Sequence, residues 1–316
     1  MLNLYGIVQD KLVPVSDPSE AAWIDLFDPT REEEETIEKR LSLEVPTPAE
    51  MAEIEVSSRL YREGDTIFMT ATVMTGAETT TPAARPISFI LTRTHLLTVR
   101  YTEPMPFRTF VKAARAGGTE LANADAIFVG LMEAIIDRAA DILESLAADM
   151  DSISDAVFSD RDSGAANNRY KTVLRGIGKS GDLNSKVRES LVSLGRLLNY
   201  LGGECRTERA ELRDHTNLIA DDIRSLTDHS TYIAGKMTFI LDATLGLINT
   251  EQNLIIKVVT VVSVTLMPPT LIASTYGMNF RHMPELSWPF GYPIALIAML
   301  VAAVAPYLVF RWKGWL

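Results

Sequence analysis

Tyr276-Gly277-Met278-Asn279-Phe280 lies between the only two runs of this chain apolar enough to cross a bilayer, and its reading decides the fold. The run before it, Val258 to Thr275, carries no ionised side chain, and neither does the run after it, Gly291 to Phe310. At a rise of about 1.5 Å per residue, each approaches the roughly 20 residues that span a hydrocarbon core. Two buried helices of a large soluble domain are the other reading. Phe290, Tyr292, Tyr307, Trp312 and Trp315 gather at the ends of the runs like an interfacial aromatic belt, which favours the membrane. A glycine and a carboxamide then stand where a spanning helix meets water.

Working outward, the flanks set orientation. Lys257 precedes the first run and Arg311 and Lys313 follow the second, whereas the loop Gly277 to Phe290 sets Arg281 against Glu285. The positive-inside bias therefore puts both termini in the cytoplasm, in a two-pass topology. No apolar stretch follows Met1, so no cleavable signal is expected, and the single Cys205 speaks against a disulfide framework.

The chain holds 41 Asp and Glu against 30 Lys and Arg. From Glu251 onward there are two acids and four bases, which leaves 39 acids and 26 bases, a net of −13, in residues 1–250. So acidic a region does not suit nucleic acid, whose phosphates demand a basic face. It suits solubility, and it can gather cations.

Residues 1–118 read as a cytoplasmic α/β domain. Ala22 to Leu26, Thr66 to Met74, Ile87 to Leu91 and His95 to Arg100 have strand character, with Arg93-Thr94 a tight connection between the last two. Arg31 to Leu41 and Pro48 to Arg59 read as helices, the first opened by Pro29-Thr30 and glutamates. The run Glu32 to Glu35 is a solvated helix face rather than a metal site, because consecutive residues point around a helix.

Beyond Gly118 only helical periodicity remains. Ile127, Leu131, Ile135, Ile142, Leu146 and Ile153 mark one helix, and Leu183, Val187, Leu191, Leu194, Leu198 and Leu201 a second after a break at Ser163 to Asn168. Residues 119–203 are thus expected to form a helical hairpin. A third helix starts after Gly202-Gly203. Leu212, Ile219, Leu226, Ile233, Ile240, Leu247 and Leu254 recur every seven residues, and no proline intervenes before Pro268. This predicts a stalk helix over 204–257 that runs on into the first span, 258–276, with a length of roughly 110 Å. Two helices broken near Gly235 or Gly246 are the alternative.

With Asn253 as origin, Thr260, Ser263, Met267, Thr270 and Ser274 fall within an arc of roughly 100° on a 3.6-residue helix. Such a face lines a pore, or its hydroxyls bond back to their own helix. Pro268-Pro269 and Pro306 are expected to kink the spans. Readings as an enzyme find little. Arg175-Gly176-Ile177-Gly178-Lys179-Ser180 lacks the first glycine of a phosphate loop and no strand leads into it, and the four histidines are scattered.

The residues Tyr276 to Phe280, followed by Met283-Pro284-Glu285-Leu286, Trp288, Phe290-Gly291-Tyr292-Pro293 and Lys313-Gly314-Trp315-Leu316, closely resemble the CorA family of divalent-cation channels. Met267-Pro268-Pro269-Thr270 and the N-terminal Trp23-Ile24-Asp25-Leu26 share the resemblance, which is dense from about Asn249 onward. The resemblance implies a funnel-shaped homopentamer of α+β/α architecture in the bacterial inner membrane. Its cytoplasmic α/β domain would lead through the stalk into a pore-lining first helix, an extracytoplasmic loop at 277–290, a second spanning helix at 291–312 and a cytoplasmic tail at 313–316. It implies import of Mg²⁺, with Co²⁺ and Ni²⁺ as further cargo, and Mg²⁺ also as regulatory ion without any other cofactor. On this sequence the selectivity filter would be Gly277, Met278 and Asn279, the matching pore positions Asn253, Thr260, Met267, Thr270 and Asn279, and the hydrophobic gate Met267 with Val259 or nearby residues. Ser263 and Ser274 share the pore face, and Glu285 would concentrate cations at the mouth or pair with Arg281. Regulatory ions would bridge subunits through Asp214, Asp221, Asp222 and Asp228 of the stalk, opposite carboxylates such as Glu63 or Asp65. The alternatives are a zinc transporter of the ZntB type, against which Met278 speaks, and a membrane-anchored cation sensor.

Overall fold

A computed structural model of the chain describes residues 1–79, 81–118, 121–159, 166–204, 210–279 and 283–314. Two compact units emerge, Met1–Leu241 and Asp242–Leu316.

The first unit is built on a seven-stranded sheet. Its strands are β1 (Leu2–Val8), β2 (Lys11–Pro14), β3 (Trp23–Phe27), β4 (Leu60–Glu63), β5 (Thr66–Thr75), β6 (Ala83–Leu91) and β7 (Leu96–Arg100), in the order β2-β1-β3-β7-β6-β5-β4. Only β3 and β7 pair in parallel among these, with Asp25 opposite Thr98 and Phe27 opposite Arg100. The expected hairpin at Arg93-Thr94 joins β6 to β7, closed by the Thr92 amide donating to the His95 carbonyl at 3.0 Å. The strands β1, β2 and β4 escaped the sequence reading. They are short or half-exposed, with no run of β-branched residues to mark them.

Both sheet faces are covered, which explains why β5 to β7 read as nearly unbroken apolar runs. On one face Ile24, Leu26, Phe68, Ile90, Leu97 and Val99 pack against Ile37 of α1 (Arg31–Leu41) and Met51 of α2 (Pro48–Met51). The α1 helix starts on a capping box, the Glu33 amide donating to the Thr30 hydroxyl while Glu33 accepts from the Thr30 amide. Glu32 and Glu35 are solvent-exposed, Glu35 pairing with Arg31 and Lys39, whereas Glu33 and Glu34 are half-buried and accept from the Met1 ammonium and the Tyr101 hydroxyl. The single helix expected over Pro48 to Arg59 is instead two short ones, α2 and α3 (Val56–Arg59). A second capping box at Thr47 and Glu50 fixes the start of α2, and the chain unwinds after Ala52, where exposed Glu53, Ile54 and Glu55 bury nothing to hold a helix.

On the other face Trp23 meets Phe107 and Phe110 of α4 (Met105–Ala116), and Phe89 meets Phe107 and Phe128 of α5 (Ala124–Phe158). The helix α6 (Ala166–Glu204) packs along β5 and against α5, so the two long helices form one body with the sheet. Of the break expected at Ser163 to Asn168, positions 163–165 lie outside the described residues, and the helix is already formed from Ala166. The phosphate-loop lookalike Arg175 to Ser180 sits in the middle of α6.

The helix α7 runs from Ala210 to Tyr276 without interruption, and the boundary between the units falls inside it. Gly235 and Gly246 do not break it. The expected start at 204 is corrected: Glu204 closes α6, because Gly202 and Gly203 cost only about 1 kcal/mol each in a helix whose Leu197, Leu198 and Leu201 are buried. Positions 205–209, Cys205 among them, lie outside the described residues. The seven-residue stripe is buried at Leu212, Ile219, Ile233 and Ile240, and a second seam four residues on adds Thr216, Ile223, Ser230, Met237 and Thr244. The stripe does not reach its predicted end, since Leu254 is 62 % exposed.

Candidate functional site

The second unit holds the C-terminal part of α7, a short 3-10 turn at Pro284–Ser287 and α8 (Gly291–Trp312). These helices contain both of the stretches long and apolar enough to cross a membrane. Within the most apolar 18 residues of each, only 6 % and 0 % are buried. Core helices of a soluble domain would be mostly buried, so that alternative loses its ground.

Every residue of the polar stripe, Asn253, Thr260, Ser263, Met267, Thr270 and Ser274, is exposed. The buried or half-buried residues of this segment are Val261, Thr265, Pro268, Pro269 and Ile272. At 100° per residue these centre roughly opposite the stripe. The α7 helix therefore has one packed side and turns its polar stripe away from it. In α8 the half-buried residues Gly291, Ala295, Met299, Ala302, Ala303, Pro306 and Phe310 likewise recur about one turn apart, a packed side of mostly small side chains.

The hydroxyls divide by face. Thr260 donates to the Ile256 carbonyl and Thr270 to the Leu266 carbonyl, both at 2.7 Å. Back-bonding and exposure are thus compatible: the proton is committed to the helix, and the oxygen of each exposed threonine keeps lone pairs that can accept. On the packed side the hydroxyl of Thr265 is buried with no hydrogen-bond partner among the described residues. Pro268 and Pro269 lie inside α7 without ending it.

The helix ends at Tyr276, and the Gly277 amide still donates to the Ala273 carbonyl at 2.9 Å. The backbone of Gly277 does not enter the left-handed region, and space favours glycine there: a Cβ would lie 3.1 Å from the Ala273 carbonyl oxygen. Met278 is 47 % exposed and Asn279 is exposed. Phe280, Arg281, His282 and the side chain of Glu285 lie outside the described residues.

The six acids named for regulation are all exposed. Asp65 pairs with Arg93 at 3.1 Å and with Arg62 at 3.5 Å, while Arg62 also binds Glu204 at 3.2 Å. Asp221 pairs with Arg224 of its own helix. Within one chain Asp222 faces carboxylates that the sequence reading missed, Glu133 and Asp137 of α5. Both carboxyls are pushed above their ordinary range, first by desolvation and then by like charges, Asp222 among them. Acids four residues apart beside an apolar stripe were the available signal. Among the described residues, no group of three or more His, Cys, Asp or Glu in one chain is arranged to hold a metal ion.

Comparison with known proteins places this geometry. The family model described as "CorA-like Mg2+ transporter protein" matches residues 18–312. The magnesium transport protein CorA of Escherichia coli K12 is 34 % identical over 321 residues, covering all of both chains. Among solved structures, the CorA magnesium transporter of Methanocaldococcus jannaschii matches with a TM-score of 0.76 at 19 % identity, over 100 % of this chain and 99 % of that one. The ZntB cytoplasmic domain of Vibrio parahaemolyticus is more distant, with a TM-score of 0.57 at 8 % identity over 78 % of this chain and 98 % of that domain. With a family model that matches nearly its whole length and a full-length relative at this identity, the chain belongs to the CorA-like family of Mg²⁺ transporters.

Proposed function

We propose that the chain forms a homopentameric channel in the bacterial inner membrane that imports Mg²⁺, with Co²⁺ and Ni²⁺ as secondary cargo. The observation that carries this reading is the stripe on α7, polar, exposed and opposite the packed side, which leads from Asn253 to the exposed Asn279. Five such stripes around an axis would enclose a path of carboxamide and hydroxyl acceptors, with Met267 and Val259 as its apolar constriction. The segment 277–290 would lie outside the cell and both termini inside, with lipid around the two spans.

Mg²⁺ dehydrates reluctantly, so a selective entrance must recognise its hydration shell. A ring of Asn279 carboxamides, set at the helix end by Gly277 and Met278, accepts hydrogen bonds from those waters without stripping them. Carboxylates would bind more tightly and release more slowly. Two charges crossing about 100 mV gain about 4.6 kcal/mol, so entry needs no other energy source. Cytoplasmic Mg²⁺ would close the channel by bridging subunits through the α7 acids Asp214, Asp221, Asp222 and Asp228 and acids such as Glu63 and Asp65, while Glu285 gathers cations at the mouth.

The test is flux through purified protein in proteoliposomes with Mg²⁺, Co²⁺, Ni²⁺ and Zn²⁺ in turn. Asn279→Ala should abolish Mg²⁺ flux while the pentamer survives, and undiminished flux would remove Asn279 from the filter. Preference for Zn²⁺ in the unmodified protein would favour the ZntB-type reading, and no flux of any ion the sensor reading.

A further inference from the structure

Between α4 and the β1, β3 and β7 part of the sheet lies a cavity of about 570 Å³, within the range of small-molecule sites. Its floor is the buried Asp25–Arg100 pair, whose charges cancel, beside Tyr5 stacked on Trp23 at 5.0 Å. Its wall is α4, where Arg108, Lys112 and Arg115 stand at i, i+4 and i+7, within an arc of roughly 60°. That stripe borders the helix face that Phe107, Phe110 and Ala114 bury against the core. Arg108 lies 4.0 Å from Glu103, and the Arg115 guanidinium lies 5.5 Å from the centre of the Tyr5 ring. Among the described residues neither Lys112 nor Arg115 has a carboxylate within 4.0 Å. The cavity thus presents four bases to two acids in a region whose net charge is −13. A local reversal of sign focuses anions.

We propose that this cavity binds a small polyanion carrying two or three linked phosphates, gripped by Arg108, Lys112 and Arg115. Successive cations on α4 are separated by about one helical turn, roughly 5 Å along the axis. One orthophosphate cannot bridge all three, whereas a diphosphate or triphosphate can. The guanidinium groups hold phosphate oxygens in pairs and Lys112 adds a point charge. The volume leaves room for a ring attached to the phosphates, so free pyrophosphate and a nucleotide share the recognising chemistry. The proposal stands apart from the conduction reading, since it uses no residue of α7 or of the Gly277 to Asn279 segment.

The experiment titrates full-length protein in detergent, in Mg²⁺-free buffer, with orthophosphate, pyrophosphate and ATP. Pyrophosphate and ATP should bind saturably, and orthophosphate at least about tenfold more weakly. Tighter binding of ATP than of pyrophosphate would assign the attached ring to the cavity, and equal binding would assign the phosphates alone. The double variant Lys112→Gln/Arg115→Gln should lose at least about tenfold in affinity. Lys39→Gln/Arg40→Gln, a surface pair on α1, should lose nothing. If the first double variant fails to fold, amine acetylation of the unmodified protein decides: pyrophosphate should protect Lys112 at constant ionic strength. No saturable binding of pyrophosphate or ATP, undiminished binding in the folded double variant, or no protection of Lys112 would overturn the proposal.

Discussion

Asp25 and Arg100 meet across the parallel strands β3 and β7, the Arg100 Nε and Nη2 donating to the two carboxylate oxygens of Asp25 at 2.9 Å each. Both side chains are almost wholly buried, at 3 % and 6 % exposure. Thr98 donates a further bond to Asp25 at 2.8 Å and itself accepts one from the Trp23 indole at 3.0 Å, while Arg100 also donates to the Thr102 carbonyl. Every polar atom of the pair is therefore used. Such a pair contributes little net stability, because desolvation offsets attraction, but removing one partner strands a buried charge. Asp25→Ala should accordingly destabilise the protein by about 3–5 kcal/mol in denaturant unfolding. Asp25→Leu/Arg100→Met should recover most of that loss, and a double variant no better than the single one would refute the argument.

The edge of β5 is sealed in another way. Beyond Met69 the partner β4 has ended, and the amides of Thr72 and Met74 donate instead to the hydroxyls of Ser193 and Ser190 on α6, at 2.9 and 3.2 Å. Ser190 is buried, so Ser190→Ala leaves a buried amide unpaired and should cost about 1–3 kcal/mol, read by the same unfolding assay. The edge so opened is a template for strand addition, and the variant should also aggregate faster on refolding.

Glu133 and Asp137 give unfolding a pH signature. Desolvation, then the like charges of Asp137 and Asp222, raise the Glu133 carboxyl, and desolvation followed by Asp141 and Asp222 raises that of Asp137. The folded protein therefore binds more protons than the unfolded chain once pH exceeds the ordinary carboxylate range, and stability falls as pH rises through the raised values. Glu133→Gln/Asp137→Asn should flatten that slope and stabilise the protein at neutral pH. An unchanged slope in denaturant midpoints across pH 4 to about 7 would remove these carboxyls as its cause.

The sequence made some of this plain and concealed the rest for definite reasons. Runs such as Thr66 to Met74 and His95 to Arg100 were legible because both sheet faces are buried, so their apolar character is continuous. The leucine and isoleucine half of the α7 seam was legible through its seven-residue period. Its other half, Thr216, Ser230 and Thr244 with Ile223 and Met237, was not, since three of the five are hydroxyl residues that periodicity reads as surface. Ser230 is buried because Asn184 of α6 bonds both its hydroxyl and its carbonyl, at 3.1 Å each, a partnership 46 residues away. The face of the polar stripe followed from helical angles alone. Which side of that helix is packed required coordinates, because Val261, Thr265 and Ile272 look no more buried in sequence than Val262 or Val264.

That contrast between faces supplies the sharpest test. Thr265 and Thr270 are five residues apart on the same helix and so about 140° apart around it, yet the Thr265 hydroxyl is buried without a partner among the described residues, while that of the exposed Thr270 donates to the Leu266 carbonyl. The same substitution should therefore act oppositely at the two positions. Thr265→Val removes an unsatisfied buried hydroxyl and should raise the stability of the assembled protein by about 1 kcal/mol while flux stays unchanged. Thr270→Val removes an acceptor from the proposed path in every subunit, leaves the packed side intact and should cut Mg²⁺ flux by at least about fivefold. Flux in proteoliposomes, with thermal unfolding of the detergent-solubilised assembly alongside, separates the outcomes. Loss of flux at Thr265 together with normal flux at Thr270 would invert the faces and put the conducting path on the other side of α7.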